Sequence, residues 1–392
     1  MTPRPFASTI SWLSLSSQEL AIQNVALAWL RRTFELQAPS NTRLLSMEGL
    51  RGVAVILVFL QHYTVQAQLI GLSPGPAATF AMAFRAFGNQ GVELFFVLSG
   101  YLIYGNLVRR APPFGGFMAR RFERIYPTFL AVFALALGAA LVAPVSGKLS
   151  SDAWGKVFDI AVNLALLPGL FPFTPIVVVA WSLSYEMFFY VATAALVLGT
   201  GLHTAPPRRR IAVILVLTLA FLAAWSLDIP HFPHRMLPFF AGMLLAEGIG
   251  DGVPSWLGWA APLASFFVYV TRIVPATAAD LLQVAAFFCL CAVCFRGRGR
   301  VSGWMCWTPL RWLGNMSYSF YLIHGFVVRA AMLLLAMLLP GGMTGVIFWC
   351  AMPVLLGAAL AVSTVLFTLV EKPFSLQPAT RPDRVRPGSG SG

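Results

Sequence analysis

Ten stretches of this chain are apolar over a length close to, or beyond, what crossing a lipid bilayer requires. By run length they lie near 47–67, 90–108, 125–143, 176–199, 210–228, 235–249, 255–272, 277–295, 315–337 and 344–369; the sixth is the shortest. A bilayer offers no partner to an unpaired peptide group, so an apolar run of this kind folds as a helix. The fold class that follows is all-α: a polytopic membrane helix bundle of about ten transmembrane helices. Composition agrees. Hydrophobic residues make up 58% of the 392, charged residues 10%, and mean hydropathy is +0.77, a balance foreign to soluble domains of this size.

The net charge of +13 does not point to nucleic acid, because the basic residues cluster in short runs between apolar stretches. With the N-terminus inside, twenty of the 27 Lys and Arg fall on the cytoplasmic side and five outside, while Arg51 and Arg329 lie within spans. That asymmetry predicts cytoplasmic N- and C-termini. Residues 1–43 lack a signal-peptide pattern. Ser16-Ser17-Gln18-Glu19 reads as a capping box, followed by a helix ending at Arg31-Arg32 that is expected to lie at the membrane surface. Residues 44–372 form the transmembrane domain. The Pro- and Arg-rich tail, 373–392, reads as disordered, and its GSGSG end resembles an engineered linker. Five cysteines show no pairing pattern and read as small apolar residues.

The first span, Met47–Gln66, carries Glu48, Arg51 and His62. Ionisable groups in a span are costly and mark function by default. Arg51 and His62 are 11 residues apart, three helical turns plus roughly 20°, so they share one face about 16 Å apart along the axis. Glu48 falls within about 40° of His62 on the same wheel. Glu93 enters the second span at a depth similar to His62, so it either orients the imidazole or caps a helix N-terminus. Ser99-Gly100 suits close helix approach. Arg121 and Arg124, at i and i+3, suit bidentate phosphate recognition, although a run of cytoplasmic charge accounts for them too. Glu186, mid-span, must be paired, with Arg51 and His324 as candidate partners, or line a polar cavity. Residues 144–175, with Asp152, Trp154, Asp159 and a short apolar run, form a candidate acceptor-binding loop, either re-entrant or interfacial. His231 and His234 flank Phe232-Pro233 with no third ligand nearby, so no metal site is expected.

Four blocks carry a family resemblance. They are Met47-Glu48-Gly49-Leu50-Arg51-Gly52 with His62, then Gly91-Val92-Glu93-Leu94-Phe95-Phe96-Val97-Leu98-Ser99-Gly100, then Trp181-Ser182-Leu183-Ser184-Tyr185-Glu186, and Ser317-Tyr318-Ser319-Phe320-Tyr321-Leu322-Ile323-His324. Their order and content resemble the acyltransferase-3 family of integral-membrane O-acyltransferases, as do the arginine run before Pro127 and the closing Glu371-Lys372-Pro373. Glu48 stands where the family usually has Asp, and Met187 where it has a second Glu.

The resemblance implies transfer of an acyl group, acetyl foremost, from cytoplasmic acyl-CoA to a hydroxyl of a glycan, a lipid-linked glycan or a secondary metabolite. It places the protein among membrane lipids of the bacterial inner membrane, with no permanently bound cofactor. His62, Glu93 and Arg51 would form the catalytic group, and Arg121, Arg124 and Arg51 the donor site. Glu48, Glu186, Ser182 and His324 would have supporting roles. His62 would serve either as general base or as a transiently acylated relay. A rival from another class is a transporter or flippase using the buried charges as a proton path. The absence of recurring broken half-helices weighs against it.

Overall fold

The structure, a computed structural model, describes residues 17–36, 42–142, 149–227, 233–297 and 299–376. The chain divides into two units, Met1–Ser40 and Asn41–Gly392. The first contains helix α1, Ser17–Phe34, whose last turn carries Arg31 and Arg32, where a cation complements the helix dipole. The expected capping box and the tail from residue 377 lie outside the described residues.

Among the described residues of the second unit every element is helical, apart from two isolated β-bridges, Leu72 to Met343 and Pro168 to Phe171. In order its helices are α2 (Thr42–Leu69), α3 (Pro76–Phe87), α4 (Gln90–Arg110), α5 (Phe114–Val142), α6 (Ala153–Leu164), α7 (Trp181–Ala194), α8 (Pro207–Ser226), α9 (Leu237–Ala246), α10 (Leu257–Thr271), α11 (Ala276–Phe295), α12 (Gly299–Met305), α13 (Thr308–Asn315), α14 (Ser317–Leu338) and α15 (Gly345–Leu366). Among the described residues eight helical segments are long and apolar enough to cross a membrane, and α9 and α10 are shorter apolar helices. All ten apolar runs of the sequence are therefore helices. The protein is a multi-pass membrane bundle.

Four helices were not foreseen as separate elements. The short α3 leads into α4, and α12 and α13 fill the segment expected to be a cytoplasmic loop. The apolar run after Trp154 is α6, a 12-residue helix about 18 Å long, too short to span. Its acidic residues are occupied by structure. Asp152 caps α6 by accepting the Gly155 N–H at 2.8 Å, and Asp159 accepts the N–H and hydroxyl of Ser150 at 2.7 and 2.8 Å. The α5 helix begins at Phe114, so Arg120, Arg121 and Arg124 lie within it, ahead of Pro127.

The core is built where α4 crosses its neighbours. A Cβ added to Gly100 would sit 2.1 Å from the Phe239 carbonyl oxygen, and one on Gly242 would sit 2.1 Å from that of Val97. The α4–α9 crossing thus needs glycine on both sides, the close approach expected of Gly100. Phe239 of α9 then stacks between Phe96 of α4 (4.4 Å) and Phe189 of α7 (4.3 Å). On the other side, α2 packs against α4, α13 and α14. Two contacts join α2 to α14 in the same sense along both helices: a hydrogen bond from Arg51 to Ser317, and the rings of His62 and His324.

Candidate active site: a cavity between arginines and histidines

Helices α2, α4, α5, α7 and α14 enclose a cavity of about 300 Å³. Its walls follow from the sequence blocks that meet there. From α4 come residues between Val92 and Asn106, a span of about 21 Å along the helix. Arg51, Asn106, Arg121, Arg124, Glu186 and Tyr190 give it a charged end; Val92, Phe95, Phe96, Ser182, Leu183 and Tyr321 give it an apolar end relieved only by hydroxyls.

At the charged end each ion has a distinct environment. Arg51 donates from Nε to Ser317 Oγ at 3.1 Å. Arg124 is bound through Nη1 to Glu371 at 2.7 Å and lies 5.4 Å over the Tyr318 ring. Glu371 is fully buried and also accepts the N–H and hydroxyl of Ser319 at 2.9 and 2.6 Å. It sits on the π-helical extension Phe367–Leu376 and fastens the end of the last span to α5 and α14. Arg121 has no carboxylate among its described contacts. It lies over the rings of Phe117 (5.4 Å) and Tyr190 (5.6 Å), and its buried Nε lacks a hydrogen-bond partner among the described residues. Glu186 accepts hydrogen bonds from Ser99 at 2.8 Å and from Tyr190. Of its expected partners, Arg51 and His324, neither hydrogen-bonds to it, but Arg51 shares the cavity wall and attracts it electrostatically, and two hydroxyl donors add to that.

Beyond the apolar end lie two histidines. Their rings are 4.9 Å apart and perpendicular. His62 Nδ1 is 3.0 Å from the Val58 carbonyl oxygen, and His324 Nδ1 is 2.9 Å from that of Phe320. A carbonyl oxygen only accepts, so each Nδ1 carries a proton, and in the neutral ring Nε2 is the acceptor. The Nε2 of His324 is buried and unpartnered among the described residues. Neither histidine lines the cavity. Tyr321, one helical turn before His324, stands between, with ring distances of 6.2 Å to His324 and 6.1 Å to Phe95.

Two expectations are corrected. Glu93 does not orient His62; it stands in the first turn of α4, the other reading of its place. Its carboxylate faces Arg235 at 3.6 Å, while the His62 Nδ1 is satisfied by its own helix. Arg235 in turn stacks 4.7 Å over Trp181. Glu48, placed on the same wheel as His62, turns away to Arg311 of α13 at 2.8 Å, and Arg311, counted as a cytoplasmic loop charge, is 6% exposed. Both pairings come from segments far along the chain that carried no motif. Ser99, expected only to suit close helix approach, is a hydrogen-bond donor to Glu186, and Tyr321 stands between the cavity and the histidines. His231, and the side chain of His234, lie outside the described residues. All five cysteines are free thiols.

The bundle thus holds a long cavity with arginines at one end and a pair of imidazoles beyond the other. Comparison with known proteins names the class. The family model described as Acyltransferase domain, Acyl_transf_3, matches residues 44–370, and this chain belongs to that family. Two relatives are acyltransferase MdmB of Streptomyces mycarofaciens and exopolysaccharide production protein ExoZ of Rhizobium meliloti (strain 1021). The first is 27% identical over 326 residues, covering 74% of this chain and 80% of the relative. The second is 26% identical over 257 residues, covering 62% and 77%. No solved structure matches the chain.

Proposed function

We propose that this membrane acyltransferase moves an acyl group, acetyl foremost, from cytoplasmic acyl-CoA to a hydroxyl of a glycan or glycolipid being exported. The observation that carries the reading is the cavity itself, which runs from Arg121 and Arg124 to a point one helical turn short of the His62–His324 pair. An acyl-CoA is a polyanion at one end, a thin arm, and a thioester at the other. Arg121 would engage the phosphates, its guanidinium having the fewest competing partners. Arg124 would contribute less, since Glu371 already occupies it. The arm would run along α4, with Asn106 and Glu186 available to its amides.

His62 would act as general base. Its Nε2 accepts the acceptor hydroxyl proton as that oxygen attacks the thioester carbonyl carbon. The carbon–sulfur bond then breaks, and the proton passes to the departing thiolate. With Nδ1 held by Val58, the imidazole has the tautomer this step needs. The name of ExoZ, a polysaccharide-production protein, supports a glycan acceptor. The orientation this requires puts residues 109–124 at the cytoplasmic face of the inner membrane, with both termini on that side. The transmembrane domain, 44–372, would suffice for activity.

The test uses the purified protein in lipid nanodiscs with acyl-labelled CoA and a soluble glycan acceptor. Transfer of label to the acceptor is expected. A protein that binds donor but never releases the acyl group to any hydroxyl, while moving glycan across vesicles, would be a transporter instead. Label retained on His62 after acid quench would replace direct transfer with an acyl-histidine relay.

A further inference from the structure

The apolar end of the cavity carries two hydroxyls that its other walls do not explain. Ser182 Oγ and Tyr321 Oη lie 2.8 Å apart. Both also approach one atom, the carbonyl oxygen of Val179, with Tyr321 at 2.9 Å and Ser182 at 3.2 Å. The Trp181 backbone N–H points at the same oxygen. A carbonyl oxygen has two lone pairs and each hydroxyl a single proton. Three donors therefore share the two lone pairs of this carbonyl and the oxygen of the partner hydroxyl. The proton of one hydroxyl is taken by the other hydroxyl's oxygen, so turning it toward the cavity breaks that one bond and leaves no buried carbonyl unsatisfied. That removes the main cost of redirecting a buried donor.

The direction open to it is the cavity. Both side chains line the wall at the end opposite the arginines, among Val92, Phe95, Phe96 and Leu183, which offer no polar side chain. Beyond Tyr321 stands His324, whose ring meets that of His62. A thioester delivered along the cavity with its phosphates at Arg121 would have its carbonyl beside these hydroxyls and its carbon facing the imidazoles. In acyl transfer that oxygen gains negative charge as the nucleophile adds. Fixed donors in a dry, apolar setting act most strongly on such charge.

We infer that Tyr321, aided by Ser182, is a catalytic residue that donates a hydrogen bond to the acyl carbonyl oxygen and holds the oxyanion. This assignment rests on the acyl-CoA reading above. The step is a hydrogen bond only. The tetrahedral oxygen keeps its charge until the carbon–sulfur bond breaks, and both hydroxyls end protonated.

The experiment reads the carbonyl directly. Acetyl-CoA with an isotope-labelled carbonyl is bound to the protein in nanodiscs without acceptor, and the carbonyl stretch is followed by difference infrared spectroscopy. In the parent protein the band is expected to move to lower frequency on binding. Tyr321→Phe should return it toward the free value and lower kcat by about 10²–10³, the usual cost of losing one oxyanion donor. Its donor dissociation constant should stay within threefold of the parent. Ser182→Ala should have the smaller effect in the same direction, and Ser182→Thr should restore it. Should Tyr321→Phe prove unstable, the Ser182→Ala and Ser182→Thr pair carries the same readout. A parent band that does not shift despite saturated donor binding would overturn the assignment. So would a folded Tyr321→Phe that keeps both the shift and the turnover. Failure of the parent protein to bind acetyl-CoA at all would instead sink the donor reading, and this one with it.

Discussion

The two ends of the cavity solve opposite problems. At the arginine end charge is abundant and restrained. Arg124 is bound to Glu371, Arg121 lies on two aromatic faces, and Arg51 is tied to Ser317. At the histidine end the groups are neutral: two imidazoles anchored by backbone carbonyls, two hydroxyls, and phenylalanine walls. Charge held in place binds a polyanion without collapsing onto it. Neutral groups in an apolar pocket leave a developing charge unscreened until the transition state needs it. Under the proposed function, binding energy gathered at one end would hold the donor while the other end acts on the transition state. Substitutions at the two ends should separate affinity from rate.

The largest separation is expected for His62. Removing a general base costs about 10²–10⁴ in rate. His62→Ala should lose transfer while retaining donor affinity, since it lies outside the cavity wall. His62→Gln should be nearly as inactive, and parent activity should fall as acidification protonates the imidazole. Turnover and donor binding measured on the same preparation check this. A folded His62→Ala that transfers at the parent rate would shift the role to His324.

Next comes the anchor of the arginine end. Glu371→Ala leaves Arg124 half-buried without its counter-charge, and breaking a buried pair costs about 3–5 kcal/mol. With Arg124 22% exposed, the lower end of that range is expected. Thermal unfolding in detergent measures it. Arg124→Ala should destabilise comparably, whereas Arg121→Ala should not. Arg121→Ala should instead weaken acyl-CoA binding by about 1.5–3 kcal/mol, the worth of charge-assisted contacts, with kcat at saturating donor nearly unchanged. Equal losses of donor affinity in the two variants, with no difference in melting, would erase the distinction between anchored and available arginine.

The sequence disclosed these two ends unequally, for a physical reason. Helix periodicity is local, so it put Arg51 and His62 on one face of α2, and Ser317, Tyr321 and His324 along α14. The bundle joins those stripes at both levels. Apolar run length is local as well, so all ten apolar runs were legible as helices, although α9 and α10 are shorter than the eight described segments long enough to span. Ion pairing is not local. Glu48 meets Arg311 across 263 positions and Arg124 meets Glu371 across 247, and nothing in either segment names its partner. The eight-residue α13 was unreadable because its apolar face is too short for periodicity to register, and Arg311 within it looked like a loop charge. Arg235 was missed for the same reason, which made Glu93 look available to His62.

That misreading gives the smallest expected effect and the sharpest check on the histidine end. If a carboxylate supported His62, Glu93→Gln would lower kcat severely and shift the pH profile, because the imidazolium formed in the reaction would lose its stabilising charge. The geometry gives Glu93 a different task. It faces Arg235, which lies over Trp181, and His62 is held by Val58. Glu93→Gln keeps the side chain's size and a carbonyl oxygen able to accept from Arg235, and it leaves the imidazole's contacts intact. Its kcat should therefore stay within tenfold of the parent, less than about 1.4 kcal/mol in barrier. The acidic limb of the pH–rate profile should not move. A modest fall in melting temperature is the expected cost, since Arg235 loses a charged partner in a half-buried setting. A displaced acidic limb with unchanged melting would mean that Glu93 reaches His62 during turnover, and the neutral character assigned to that end of the cavity would no longer hold.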